Sequence, residues 1–277
     1  MGEQILAKMH EGIVLLYAFS VLLYFVDFLH HNRKANRIAF WLLSIVWLLQ
    51  TFFLLFYMYD KGRFPILTLS EGLYFYVWVL ITLSLAINRF LRVDFFVFFT
   101  NVLAFLLLVI YTFAPFHWQS NVLAEKLASE LLIIHIIISL LAYGAFTLSF
   151  IFSLLYLIQY DLLKQKKWGK RLIRIGNLAK LEQLAYILNV IGVPLLLSGV
   201  ILGLQWAYIK IPDLVFYDWK IIGSCFVLIV YGIYLYMKIR KEMMGRNLAF
   251  LNIAAFLIVL INFFLLGKLS LFHIWYY

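Results

Sequence analysis

Apolar and polar positions along this chain fall in long blocks, not at the short periods of a water-facing sheet or helix. Eight apolar runs can be read, at about 12–29, 38–59, 68–88, 95–114, 131–158, 183–207, 221–237 and 248–267. Allowing for tilt, each suits the roughly 20 residues with which a helix crosses the hydrocarbon of a bilayer. Backbone N–H and C=O groups find no water there, so helices are the economical form for such runs. The pattern predicts an all-α fold, a polytopic membrane bundle of about eight transmembrane helices. No Pro-rich, Ser-rich or long polar stretch interrupts it, so residues 1–277 read as one integral membrane domain.

Composition agrees and removes the soluble classes. The chain is 66% hydrophobic, 19% aromatic and only 13% charged, with a mean hydropathy of +0.98. A water-facing surface usually demands about a quarter charged residues. The N-terminal MGEQILAKMHEG lacks the basic start and small-residue cleavage site of a secretory leader, so the first run is expected to be a retained helix. The single cysteine, Cys225, lies in an apolar run, and no CxxC occurs, which disfavours disulfide, thiol and thiolate-metal chemistry.

The net charge of +10 would suggest a nucleic-acid partner in a soluble protein. Its distribution gives a different meaning. Sixteen of the 23 basic residues fall in the connections after the first, third, fifth and seventh runs, seven of them between Lys164 and Lys180. Counting acids as well, one side carries about +11 and the other about −1. Basic residues favour the cytoplasmic face, so both termini are expected to be extracytoplasmic in a multi-pass protein of the bacterial plasma membrane. The excess then belongs to topology and anionic lipid, with no nucleic acid implied.

This topology sorts the histidines. His10, His117, His135 and His273 gather at or near the outer face, and His30 and His31 sit at the inner end of the first run beside Asp27. An ionisable ring in an apolar run is costly in lipid and belongs against protein, a cavity or a ligand. His135 and His273, on two different runs at one face, suit axial ligation of a haem iron by two neutral imidazoles. Trp118, Trp206, Tyr217, Trp219, Trp275 and Tyr276 offer walls for a porphyrin and equally fit an ordinary interfacial aromatic belt. Lys210, Lys220 and Lys268 are on the side where propionates would want cations. The other reading of both histidines, packing alone, stays open.

Other chemistries find little support. HExxH, P-loop and GxGxxG motifs are missing from any believable context, and no Ser–His–acid set stands out. Asp27, His30 and His31 read as an interfacial hydrogen-bonded cluster before a metal or proton site. Gly199 and Gly203, in GVILG, have the spacing that lets two helices pack closely. A non-enzymatic role is expected.

Four patches resemble the polytopic cytochrome c assembly proteins that handle haem, the CcsA/ResC and CcmC group, and within it the smaller HemX-type branch. LTLSEGLYFYVW, from Leu67 to Trp78, is similar to the family segment with a glutamate leading into a helix, which places Glu71 on that position. SELLIIHIIISLLAYGAF puts His135 on the first extracytoplasmic histidine. The run from Leu181 to Ala207 resembles the family's Gly-x-Pro-Leu and Gly-x-x-x-Gly segment ending in Trp-Ala, which brings in Trp206. NFFLLGKLSLFH, from Asn262 to His273, is similar to the terminal segment that supplies the second histidine. The resemblance covers roughly residues 65–273 and implies a haem b cofactor held by His135 and His273.

The chain departs from the family between the two histidines. There the family's signature is a Trp-rich outer loop ending in Trp-Asp-Pro-Lys-Glu, and here the loop is IKIPDLVFYDWK. Asp218 and Lys220 match the Asp and Lys, Tyr217 replaces the Trp, and the other tryptophans and the Glu are absent. The HemX-type resemblance implies a negative effector of glutamyl-tRNA reductase abundance in tetrapyrrole synthesis, with haem transport or chaperoning for cytochrome c maturation as the alternative. The connection over 160–181, with seven basic residues and Trp168, is compatible with docking that reductase or its regulator, and equally with lying on anionic lipid.

Overall fold

A computed structural model describes residues 2–91, 94–113, 129–166, 177–210 and 218–270. The described residues contain no strand and form eight long helices joined by turns. These are α1 (Gly2–His30), α2 (Arg33–Lys61), α3 (Leu69–Leu91), α4 (Asp94–Phe113), α5 (Glu130–Lys164), α6 (Leu178–Lys210), α7 (Trp219–Ile239) and α8 (Arg246–Ile261). After α8 the helix continues through a π-turn, Asn262–Leu266, and a last turn, Gly267–Leu269. All eight are long and apolar enough to span a membrane, α8 together with its π-turn, with mean window hydropathies from 1.5 to 2.6. Their lipid-facing character is plain in the apolar side chains left uncovered, such as Phe19, Trp41, Phe52 and Ile229.

Most helices run past the apolar runs that announced them, because polar residues at the ends satisfy backbone groups that have no intrahelical partner. The Asn32 side chain accepts from Lys34 N (3.0 Å) and Ala35 N (3.3 Å), starting α2 before its first apolar residue. Ser129 caps α5 by accepting from Leu132 N at 3.3 Å, and Asp218 caps α7 by accepting from Lys220 N at 2.8 Å. Gly62 ends α2 in the left-handed region (φ 62°), where a side chain would be strained.

The helices sort into two compact units, α1–α4 and α5–α8. In the first, α1 packs on α2 and on α4, and α3 packs on α4. Polar bonds tie them: the Tyr17 hydroxyl donates to Asn101 Oδ1 in the buried interior (2.8 Å), and Trp47 Nε1 donates to Thr82 Oγ1 at a half-buried position (2.8 Å). In an apolar solvent such bonds hold helices together where the hydrophobic effect does not.

The second unit is organised on the antiparallel pair α5–α6. Three glycines of α6 face three side chains of α5 in one continuous register: Gly192 against Phe146, Gly199 against Ser139 and Gly203 against His135. Without a Cβ at these positions the two backbones approach closely. Helix α8 joins the pair through Asn252, whose amide donates to Ser149 Oγ (2.8 Å) and Ser153 Oγ (2.7 Å) and accepts from Asn189 (2.9 Å). At the other end of α6, Glu182 pairs with Lys238 of α7 and accepts from the backbone N–H of Gly245 (3.2 Å), where α8 begins.

Candidate functional site

His135 lies in the second turn of α5, set there by the Ser129 cap and held against α6. Its Nδ1 is 2.6 Å from the carbonyl oxygen of Gly199. A carbonyl only accepts, so the bond assigns the ring proton to Nδ1 and the lone pair of the neutral imidazole to Nε2. Gly203 flanks the same ring one turn further along α6; a Cβ there would come within 2.6 Å of Cε1 and 2.8 Å of Nδ1. An imidazole so oriented by a backbone carbonyl is the arrangement metal-ligating histidines usually have.

Trp206 follows on the same face of α6, at the helical spacing of Gly199 and Gly203. It is 7% exposed, and its Nε1–H is buried with no acceptor among the described residues. Buried N–H groups nearly always bond to something, so this donor has room for an oxygen beyond those residues. A carboxylate of a porphyrin is one such oxygen. The imidazole with its lone pair on Nε2 and the orphaned indole N–H therefore fit haem.

Asp218 and Lys220, at the start of α7, turn to the chain itself. Asp218 Oδ2 accepts from Ser270 Oγ at 2.7 Å while its other oxygen caps α7. Lys220 Nζ donates to the carbonyl of Asn262 (2.7 Å), at the first residue of the π-turn, and lies 5.6 Å above the Phe263 ring. The Asn262 amide in turn donates to the hydroxyls of Tyr143 (3.3 Å) and Ser224 (3.2 Å). These bonds fasten the start of α7 and the middle of α5 to the stretch that leads out of α8.

Glu71 belongs to the first unit. Arg63 grips it with two N–H···O bonds of 2.8 and 2.9 Å, and the Tyr57 hydroxyl donates to it at 2.7 Å. The carboxylate closes the connection between α2 and α3. His10 bonds Thr112 (3.0 Å) and packs edge-on to Tyr111, with ring centroids 5.0 Å apart. Asp27 accepts from the Asn36 amide (2.8 Å) at the α1–α2 corner, the interfacial hydrogen-bonded role expected of it. Among the described residues no three His, Cys, Asp or Glu side chains gather as metal ligands.

The structure thus brings His135, Trp206, Asp218 and Lys220 into one unit and leaves Glu71 in the other. His117, His273, Trp118, Trp168, Tyr217, Trp275, Tyr276 and the side chain of Lys268 lie outside the described residues. Trp219 (55% exposed) and Lys210 face outward, as belt residues do. Sequence reasoning missed Tyr143, Ser224, Asn262 and Ser270. The available signal was Asn262, a polar side chain within an apolar run, which is costly unless bonded.

These features define a multi-pass helical membrane protein whose candidate site is a seated imidazole in the second of two units. The sequence profile of the family described as "Cytochrome C assembly protein" matches residues 66–273. Protein HemX of Bacillus subtilis (strain 168) is 55% identical over 273 residues, 99% of each chain. The chain belongs to the cytochrome c assembly protein family, as a HemX-type member from a bacterial membrane. Protein HemX of Brevibacillus brevis is 44% identical over 268 residues, 96% of this chain and 97% of its own. Cytochrome c biogenesis protein CcsA of Mesostigma viride is 28% identical over 247 residues, 81% of this chain and 77% of its own.

Proposed function

We propose that this protein is a non-enzymatic haem-binding regulator, acting in tetrapyrrole synthesis as a negative effector of glutamyl-tRNA reductase abundance. The observation that carries the haem part is the His135 ring, held through Nδ1 on the Gly199 carbonyl with Nε2 as its basic nitrogen. His273 would be the second ligand in this reading, as the resemblance implies. Haem, when bound, would supply a one-electron redox couple. His135 would hold the iron through Nε2, the Trp206 N–H would be a donor to the bound group, and the apolar side chains of α5 and α6 would exclude water. Asp218 and Lys220 hold the chain just before His273 through Ser270 and Asn262.

The regulatory part rests on the HemX-named relatives and on the placement of the basic connection. Helices α5 and α6 carry the imidazole seat near one end and are joined at the other end by the stretch over 160–181. A change of packing at the seat has a direct mechanical route along both helices to that stretch. With both termini outside, the connection faces the cytoplasm, where the reductase or its regulator would dock.

The test is an absorption spectrum of the detergent-purified protein after growth with added haem precursor, wild type beside His135→Ala/His273→Ala. A low-spin Soret band in the wild type that is lost in the double variant is the expected result. A wild type that stays colourless and takes up no added haem refutes the haem part. In cells, loss of the protein should raise reductase and porphyrin levels while covalent cytochromes c persist. The CcsA-named relatives favour a second reading, a haem carrier for cytochrome c maturation, in which loss of the protein abolishes those cytochromes instead.

A further inference from the structure

We infer that the Gly199–Gly203 turn of α6 is the positioning element of the His135 ligand: a socket that fixes the ring's tautomer and angle, beyond allowing helix packing. The inference rests on the haem reading above. Three glycines of α6 sit under α5, and their neighbours separate two jobs. A Cβ at Gly192 would come within 2.6 Å of Phe146 Cε1, a contact with an apolar ring and nothing more. A Cβ at Gly203 would come just as close to His135, and its three nearest atoms are Cε1 (2.6 Å), Nδ1 (2.8 Å) and Nε2 (3.2 Å). The second glycine is pressed against the side of the ring that holds both nitrogens.

Helix geometry explains why position 203 controls the bond made by position 199. Side chains on an α-helix lean toward its N-terminus, so a residue at i+4 lies over the carbonyl of residue i. A side chain at 203 would therefore cover the Gly199 oxygen that receives His135 Nδ1–H. That carbonyl also receives the helical N–H of residue 203 in a regular ladder. Here the His135 ring reaches the same oxygen from outside the helix, and a Cβ at 203 would meet that ring at 2.6 Å. Trp206, one turn further on that face, adds a buried N–H with no acceptor among the described residues. Helix packing alone does not require an imidazole held by a main-chain carbonyl.

The experiment compares Gly203→Ala with Gly192→Ala in the full-length detergent-purified protein, titrated with haem. Both substitutions meet a ring at the same distance. Orienting partners of metal ligands are typically worth about 10–100-fold in affinity. Gly203→Ala is expected to lose haem affinity on that order and to shift the remaining band from low spin toward high spin. Gly192→Ala should lower the thermal midpoint and keep the low-spin band. Equal haem affinity and equal low-spin bands in wild type and Gly203→Ala overturn the inference. A separate measurement needs neither haem nor a substitution: 15N NMR of the haem-free wild type, labelled at histidine. A protonated Nδ1 with an unprotonated Nε2 at His135 supports the socket even where haem binding itself fails. The opposite tautomer overturns it.

Discussion

Replacing Asp218 by Ala separates an anchor from a ligand contact. At least two bonds are lost at once. The N-cap of α7, the bond from Lys220 N at 2.8 Å, costs about 1 kcal/mol when Asp becomes Ala. The Ser270 hydroxyl, 2% exposed, loses the carboxylate acceptor it holds at 2.7 Å, and the loss of such a buried bond costs about 1–3 kcal/mol. The sum, about 2–4 kcal/mol, corresponds to a drop of roughly 30- to 700-fold in the population of the closed arrangement. Hydrogen exchange in detergent micelles reads it directly. Amides over 218–224 and 262–270 should exchange faster by that factor in the haem-free protein, with the α1–α4 unit unchanged. Asp218→Asn should recover most of the loss, since Asn caps a helix as well as Asp and its amide can still pair with Ser270. The reasoning is refuted if Asp218→Ala leaves exchange in both stretches as in the wild type while abolishing haem uptake. That result would make Asp218 a direct ligand contact, not a fastener of the chain.

Two further outcomes follow from bonds described above. Glu71→Gln leaves Arg63 as a cation only 13% exposed without its counter-charge, and breaking such a pair costs about 3–5 kcal/mol. The thermal midpoint should fall sharply while the tautomer of His135 stays as it is; an altered tautomer would tie Glu71 to the site. Alkaline phosphatase fused within 160–181 should be inactive, and active when fused after residue 277. The reverse pattern would invert the membrane topology and with it the proposed cytoplasmic docking surface.

The helices were the legible part of this chain. A run of about 20 apolar residues has few alternatives, so all eight were visible without any knowledge of their neighbours. Their ends were less so, because caps such as Asn32 and Ser129 are polar residues that read as connections. His135 was legible as an anomaly in an apolar run. Gly199 and Gly203 were legible only as a packing motif. That one of them seats His135 depends on the register of α5 against α6, which neither helix encodes alone. Lys220 shows the same limit more sharply. As a cation on the outer side it read as a partner for propionates, and nothing in the sequence announced the bond its Nζ makes to a backbone carbonyl 42 residues later. Main-chain acceptors carry no sequence signature, so bonds to them are invisible until the chain is folded.

The π-turn at Asn262–Leu266 gives the end of the chain a dependence on counting. A π-turn holds one residue more than the α-helical turn it replaces, so every residue after it is displaced in phase by about 100° around the helix axis. The direction in which residues 267–270 continue from α8 therefore depends on the extra residue being taken up within Asn262–Leu266. Substitutions there keep the phase as long as they keep the π-turn. Relaxing the turn to ordinary α-helix at constant length would rotate everything beyond it, Ser270 included, by about 100° out of register with Asp218, whereas removing a single residue together with the turn would leave Ser270 in register.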